Sequence, residues 1–335
     1  MLTFVVRVLY KRNINSQPTS KNSSSYFCLE KMSLFIVTRG LIIILPWIIY
    51  LCVVDIVVSL LLPASYLFPT LVYDVSSFLA FTNWSWIQTI FEFFNKAKIT
   101  YSGDLLPKDE SAIVISNHVS WTDFYMIQAL AIRANMLSRC RWFAKIELRW
   151  VPFLGWGLWA MGMPMVSRNW IKDKKELGRV FDGITGELWP TWLISFSEAT
   201  RYTTQKAEEA RIWCLKNDKP IPQHLLYPRI KGFVATVQHL RKAKHVKSVY
   251  DVTIVYSHMN KFQSAPSFME SLALDSLSTR RGYKFHVDVR RFALVDLPET
   301  DAELALWLES RWVEKGKYLQ SKKMEWDRIT TDKMA

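Results

Sequence analysis

The feature that most constrains this sequence is an apolar run near its N-terminus. It reads GLIIILPWIIYLCVVDIVVSLLLP from Gly40 to Pro63, and its one charged residue is Asp55. As a helix it would extend roughly 35 Å, enough to cross the hydrocarbon core of a bilayer. Pro46 removes a helical hydrogen bond, and a carboxylate at mid-depth costs on the order of 3 kcal/mol. The run therefore predicts a membrane helix that either is straight or is kinked or re-entrant.

A second apolar stretch, residues 71–94, carries polar and charged side chains among its apolar ones. This mixture favours an amphipathic helix at the level of the lipid headgroups, so residues 40–96 are predicted to form a membrane-embedded or interfacial helical hairpin. Residues 1–39 are predicted to be a basic, flexible extension, and their six Lys and Arg against one Glu indicate a cytoplasmic N-terminus. Their serine-rich, acid-poor composition also resembles a mitochondrial presequence, and that alternative stays open.

The composition indicates an ordered chain with an anionic partner. Half of the 335 residues are apolar, which excludes disordered and collagen-like chains, and the 15 Trp, 19 Phe and 13 Tyr suit a membrane boundary. The formal charge of +13 favours anionic lipid, a phosphorylated substrate or nucleic acid as the partner. Nucleic acid fits poorly, because the basic residues are scattered instead of gathered on one element with exposed aromatic side chains.

After residue 97, short apolar runs alternate with longer helical patterns, which is typical of an α/β fold. We predict a single domain over residues 97–298, in which helices flank a mixed sheet, followed by a C-terminal helix and tail over residues 299–335. Thr300 to Glu303 form a capping box that opens this last helix. The predicted strands are residues 113–115, 192–196, 252–256 and 283–289, the last of them half-exposed because apolar and polar residues alternate. The predicted helices are residues 122–130 and 172–188.

The residues most suited to chemistry are His118, which follows the first predicted strand, and Asp123, five positions later. In a continuous helix they would point about 140° apart, so they meet only if the chain turns between them. A strand-to-helix junction provides such a turn. An imidazole that donates to a carboxylate is held in one tautomer and made more basic, as a general base near neutral pH requires. Taken alone, the pair fits a structural role as well, with Asn117 and Asp123 as helix caps.

Three further blocks follow in order along the chain. They are VPFLGW at residues 151–156 leading to Arg168, SEATR at residues 197–201, and YPRIKG at residues 227–232. With the histidine block, they resemble the glycerolipid acyltransferase family, whose members carry NHx4D, an arginine after VPxxGW, EGTR and PR in this order. The resemblance is closest to the branch with 1-acylglycerol-3-phosphate, lysocardiolipin and lysophosphatidylinositol acyltransferases. Ala199 departs from the family, which usually has Gly there, and its β-carbon is expected to exclude positive φ and narrow the approach to a headgroup.

The resemblance implies an acyltransferase domain that transfers a fatty acyl group from acyl-CoA to the free hydroxyl of a lysophospholipid. The first candidate acceptor is 1-acylglycerol-3-phosphate, which would give phosphatidic acid, and lysophosphatidylinositol and lysocardiolipin are the alternatives. No cofactor or metal is implied beyond acyl-CoA as co-substrate. The expected location is the endoplasmic reticulum membrane with the active site facing the cytosol, and lipid droplets and mitochondrial membranes are the alternatives.

The resemblance also assigns roles to residues. His118 would be the general base and Asp123 would orient it, with no acyl-enzyme intermediate. The substrate-binding candidates are residues that hold the acceptor phosphate and glycerol or order the residues that do so: Arg168, Glu198, Thr200, Arg201, Pro228 and Arg229.

Two other classes of protein remain as hypotheses. A hydrolase would need a nucleophilic serine, and the chain has no GxSxG segment. A non-catalytic lipid-binding membrane protein would use the basic charge and the apolar hairpin without the histidine.

Overall fold

The structure is a computed structural model that describes residues 23–151, 154–167 and 170–332. Helix α1 (Ser23–Leu61) continues through Pro46, and α2 (Pro69–Thr89) packs beside it before a π-helical turn at Ile90–Phe94. The predicted helical hairpin is confirmed, with a continuous first helix. Since α1 begins at Ser23, it extends into the stretch predicted to be a flexible extension. Residues 1–22, which carry much of the presequence-like pattern, lie outside the described residues.

The outer side of the hairpin is apolar. Within the described residues, Thr38–Leu61 is the one stretch long and apolar enough to cross a membrane, with a mean hydropathy of 2.8. One side of α1 packs on the protein through Trp47, Val54 and Val58, while Ile49 and Leu60 are more than half exposed on the other. Such a surface is unusual for a protein surrounded by water and is typical of contact with lipid.

The central sheet is mixed, as predicted. Its strands are β1 (Ile99–Gly103), β2 (Ser111–Ser116), β3 (Cys140–Trp142), β6 (Trp192–Phe196), β7 (Val246–His258), β8 (Lys261–Phe262) and β9 (Tyr283–Ala293), and β4 (Ala144–Lys145) and β5 (Met165–Val166) form a separate pair. The order across the sheet is β1-β9-β7-β2-β6-β3, with β8 paired to β7. Neighbouring strands along this path are parallel except β7 and β9. The four predicted strands lie within β2, β6, β7 and β9.

Helices cover both faces of the sheet. The helices that follow the hairpin are α3 (Asp123–Arg133), α4 (Leu154–Ala160), α5 (Trp170–Glu187), α6 (Thr204–Lys216), α7 (Ile230–Leu240), α8 (Phe268–Ala273) and α9 (Asp301–Asp332). Alternate residues of β2 enter two separate cores, since successive side chains of a strand point to opposite faces. Val114 packs with α3 and the hairpin, whereas Ile113 and Ile115 pack with α5, α7 and α9.

The prediction that β9 is half-exposed is wrong. Its polar residues His286 and Asp288 are only 3% exposed, because α9 covers that face of the strand. The His286 ring contacts the hydroxyls of Thr100, Ser102 and Tyr318 at 2.7, 3.0 and 2.8 Å. The alternating pattern therefore marks a buried polar network instead of a solvent-facing side.

Helix α9 packs against one face of the sheet. The predicted capping box is present in part: the Glu303 backbone N–H donates to Thr300 Oγ1 at 3.2 Å, but the Glu303 carboxylate accepts from the Thr300 hydroxyl, at 2.8 Å, and not from the Thr300 backbone N–H. Leu304, Leu308 and Trp312 are fully buried in the core shared with α7.

Candidate active site

His118 and Asp123 meet where β2 gives way to α3. The chain leaves β2 at Ser116 and enters α3 at Asp123, and the turn between them brings His118 Nδ1 to 2.7 Å from Asp123 Oδ2. The predicted contact is therefore confirmed. The His118 side chain is 13% exposed, and its Nε2 has no hydrogen-bond partner among the described residues. This nitrogen is placed to accept a proton from a bound molecule.

The Asp123 carboxylate is fully buried but well satisfied. Its Oδ2 also accepts from the backbone N–H groups of Val119 at 2.7 Å and Ser120 at 3.0 Å, and its Oδ1 accepts from the Tyr256 hydroxyl at 2.7 Å. Burial and the neighbouring Asp123 raise the pKa of Tyr256 well above its usual value, so this phenol keeps its proton and donates. These hydrogen bonds hold the carboxylate in place beside His118.

Asn117 does not cap α3, contrary to the structural alternative raised from the sequence. Its side-chain amide donates to the Ile254 carbonyl at 3.0 Å and accepts from the Ile254 N–H at 2.8 Å. The side chain thus pairs with β7 as a strand backbone would, directly beside His118. The His118 carbonyl accepts from the Tyr202 N–H at 2.7 Å, which ties the histidine loop to the SEATR block.

The imidazole is also held from its face. Phe196 stacks on His118 with ring centroids 4.1 Å apart and an angle of 12°. The register that pairs Ser116 with Phe196 brings this ring to the histidine loop. Neither Phe196 nor Tyr256 was singled out from the sequence. Their sequence signal is only an aromatic residue near the end of a strand that neighbours β2.

The SEATR block turns sharply after β6, and Ala199 adopts a φ of +55°. The expectation that its β-carbon excludes positive φ is therefore wrong. The Ala199 N–H donates to the Phe196 carbonyl at 2.8 Å, so the turn is fixed by its own hydrogen bond. A left-handed conformation costs an L-residue on the order of 1 kcal/mol, and here an alanine bears that cost where the family usually has glycine.

Glu198 lies in the interior and not on an accessible surface. Its side chain is 2% exposed. Burial, together with the charge of Asp123, raises the pKa of Glu198 well above its usual value, although the Leu226 backbone, Lys315 and Trp312 act in the opposite direction. Burial thus favours the neutral form of this carboxyl group, which lies beside α9. This location suits ordering of the block better than direct contact with an acceptor.

The arginines of the SEATR and YPRIKG blocks are exposed. Arg201 and Arg229 both face solvent, and neither guanidinium has a partner among the described residues. The Arg229 N–H donates to the Ser197 carbonyl at 2.7 Å, which joins the YPRIKG block to the SEATR block, and Pro228 is buried. Arg168 lies outside the described residues.

Lys206, which was not predicted from the sequence, lies beside the SEATR block. Its ammonium donates to Thr200 Oγ1 at 2.5 Å and approaches the Arg201 carbonyl at 3.4 Å. A lysine in the first turn of α6 gives no distinctive sequence signal. The site therefore combines a buried His–Asp pair with exposed cations. The histidine can take a proton from an alcohol, and the cations can bind an anion on the same molecule. No group of metal-ligating side chains was found within the described ranges.

Two parts of the chain match known protein families of acyltransferases. Residues 98–257 match the Acyltransferase family, and residues 276–323 match the family described as Acyltransferase C-terminus. The chain belongs to the glycerolipid acyltransferase family. The second match covers most of α9, so the helix beneath the site is part of the family pattern.

Individual relatives share about 30% of their sequence with this chain. A probable 1-acyl-sn-glycerol-3-phosphate acyltransferase 5 of Arabidopsis thaliana is 29% identical over 70% of this chain and 60% of its own length. The 1-acyl-sn-glycerol-3-phosphate acyltransferase delta of Homo sapiens is 32% identical over 62% of this chain and 52% of its own. The chain thus spans little more than half the length of these curated relatives. The crystal structure of the acyltransferase PlsC from Thermotoga maritima is 15% identical, with a TM-score of 0.43 over 79% of this chain and 96% of that one.

Proposed function

We propose that this protein transfers a fatty acyl group from acyl-CoA to the free hydroxyl of a lysophospholipid. The proposed acceptor is 1-acyl-sn-glycerol-3-phosphate, which both relatives above carry in their names, and the product is phosphatidic acid. The observation that carries the proposal is the His118–Asp123 contact of 2.7 Å, with Nε2 open, in a loop whose backbone is bonded to Tyr202, the residue after the exposed Arg201. Lysophosphatidylinositol and lysocardiolipin remain the alternative acceptors.

The reaction needs one base and no covalent enzyme intermediate. His118 Nε2 takes the proton from the acceptor hydroxyl as its oxygen attacks the thioester carbonyl. Asp123 stabilises the imidazolium that forms, as in a serine hydrolase, but here the substrate supplies the hydroxyl. The tetrahedral intermediate then expels the CoA sulfur, which receives the proton from His118. The products are the ester and free CoA.

The exposed cations suit the acceptor phosphate. A guanidinium offers two parallel donors to a phosphate, so Arg201 and Arg229 are proposed to hold it. Arg168 remains a prediction for the same role. Glu198 and Thr200 are proposed to order the block, because Glu198 is buried and the Thr200 hydroxyl contacts Lys206.

The lipid substrates are proposed to enter from a membrane. Trp47 of α1 packs on Phe268 of α8, and Phe268 packs on Trp121 of the histidine loop, with ring centroids 6.3 and 4.9 Å apart. This aromatic chain leads from the hairpin to the site. We propose the endoplasmic reticulum membrane as the location, with the site facing the cytosol, and lipid droplets or mitochondrial membranes as alternatives.

The test is acyl transfer by the purified chain from one labelled acyl-CoA to a panel of lysophospholipids. His118→Ala is expected to lower the rate by roughly three orders of magnitude or more, since a general base of this kind contributes that much. His239→Ala is a matched control, because His239 also lies near an aspartate, Asp182 at 3.4 Å, but on the surface. The control should retain full activity.

Three outcomes would count against the proposal. One is more than a tenth of the activity in His118→Ala with normal membrane association. Another is a covalent acyl-serine trapped by a fluorophosphonate probe, which would indicate a hydrolase. The third is normal cellular function of His118→Ala, which would indicate a lipid-binding protein without catalysis.

A further inference from the structure

A buried arginine without a carboxylate lies away from the histidine, where α2 meets β3. Arg141 is 2% exposed. Its Nη2 donates to Ser77 Oγ at 2.7 Å, and its Nη1 donates to the carbonyls of Ser138 and Cys140 at 3.0 Å. Within the described part of the chain no carboxylate pairs with it. A buried charge is costly unless an opposite charge lies beside it, so this guanidinium needs a counter-ion.

The neighbours of Arg141 do not neutralise it. Arg139 has the same charge and is itself paired with Asp74 at 2.8 Å. The Tyr73 ring lies 4.7 Å from the Arg141 guanidinium and gives only a cation–π attraction. Burial lowers the pKa of Arg141, but a guanidinium stays protonated in proteins.

A cavity of about 30 Å³ adjoins this guanidinium. Three of its lining residues carry a buried polar atom without a partner among the described residues: Arg141 Nε, Trp189 Nε1 and Thr191 Oγ1. The two N–H groups can only donate, and the hydroxyl is able to donate. A second guanidinium, that of Arg179, also lines the cavity, although Glu176 binds it at 2.7 Å. The cavity therefore lies beside unpartnered donors and positive charge.

We propose that this cavity binds a monatomic anion of the size of chloride, as the counter-ion of Arg141. The volume admits a small ion or a water molecule. Water would satisfy the donors but not the charge, whereas a halide does both. The Tyr73 hydroxyl donates to the Pro190 carbonyl at 2.7 Å, so the cavity lies at the junction of the hairpin and the sheet. The anion would thus stabilise that junction.

The test measures thermal stability of the purified full chain while chloride replaces gluconate at constant ionic strength. A saturable rise in Tm with chloride is expected. Thr191→Val keeps the shape but removes a donor, so its apparent chloride affinity should fall about threefold to tenfold, as for one lost hydrogen bond. Thr236→Val is the matched control, because that buried hydroxyl already donates to the Gly232 carbonyl at 2.8 Å. Its chloride response should equal that of the unchanged protein.

Two further measurements complete the test. Arg141→Met removes the charge, and its Tm should no longer respond to chloride. Crystals soaked in bromide should show an anomalous peak between Arg141 and Thr191, which requires no variant to fold. The proposal is overturned if the unchanged protein has the same Tm in chloride and gluconate. It is also overturned if Thr191→Val responds like Thr236→Val, or if the cavity holds only water in the bromide crystal.

Discussion

At the scale of single residues, Ala199 carries backbone strain that a glycine would relieve. Its φ of +55° lies in the left-handed region. We expect Ala199→Gly to raise the free energy of unfolding by about 0.5–1 kcal/mol, because the relief of strain exceeds the added freedom of the unfolded chain. Chemical denaturation measures this difference.

The control for this prediction is Ala210→Gly in helix α6. There the native conformation is helical, so glycine should lower the free energy of unfolding by about 1 kcal/mol. If both variants are destabilised by the same amount, the strain at Ala199 has no energetic consequence.

Arg201 is the residue on which acceptor binding is predicted to depend most. Arg201→Lys keeps the charge but loses the planar fork, so the KM for the acceptor should rise about tenfold with a smaller change in kcat. Steady-state kinetics against acceptor concentration measure both constants. Arg211→Lys is the control, since Arg211 is exposed on α6 and paired with Glu208 at 2.7 Å. An acceptor KM that stays the same in Arg201→Lys would contradict the role.

At the scale of elements, α9 is fixed to the sheet by a buried ion pair. Lys315 is 2% exposed, and its ammonium donates to Asp251 Oδ1 at 2.6 Å, the Val252 carbonyl at 2.6 Å and Thr253 Oγ1 at 3.1 Å. Lys315→Met would leave Asp251 buried and unpaired. We expect a loss of about 3–5 kcal/mol in the free energy of unfolding.

Lys317→Met tests whether the loss is specific to burial. Lys317 lies two residues further along α9, is exposed, and pairs with Glu314 at 2.9 Å. Its replacement should change the free energy of unfolding by less than about 0.5 kcal/mol. Similar losses in the two variants would mean that the buried pair does not anchor the helix.

The interface between β9 and α9 should also make stability depend on pH. Burial, with a contribution from Lys322, lowers the pKa of His286 to about 4. The unfolded histidine titrates near 6.5, so below that pH the unfolded chain binds a proton that the folded one does not. The stability from this residue is therefore complete above pH 6.5 and falls as the pH drops towards 4, by about 3 kcal/mol in all.

His286→Gln removes the titrating group at this interface. Its free energy of unfolding should be lower at pH 7, because the hydroxyl network around the ring is disturbed, but should fall less steeply between pH 6.5 and 4. Denaturation curves across this range compare the two slopes. Equal slopes would show that His286 is not protonated on unfolding.

At the scale of the whole molecule, the sequence predicts best the strands that are buried by apolar neighbours on both faces. β2 and β6 are short apolar runs because both of their faces are buried, and the structure confirms them. β9 misleads because its polar residues face Tyr318 of α9 instead of water. β1 and β3 lie at the edges of the sheet, and their five and three residues are too few for a reliable period.

In the candidate site, the sequence predicts the local contact but not the contacts between distant parts of the chain. The His118–Asp123 contact is local, so the strand-to-helix junction predicts it. The contacts of Tyr256, Phe196 and Asn117 depend on which strands lie beside β2 and in which register, and a single sequence does not give that register. Glu198 illustrates the limit most clearly, since two of the residues that act on its pKa, Trp312 and Lys315, lie more than a hundred positions later in the chain.

The parallel pairing of β1 with β9 joins the first strand of the sheet to the last one. During synthesis at roughly 5–20 residues per second, the ribosome would need on the order of 10 to 40 s to deliver β9 after β1 has emerged. With the hairpin in a membrane, as proposed above, β1 would emerge long before its partner strand, and lipid would be the main support of the nascent chain during that interval.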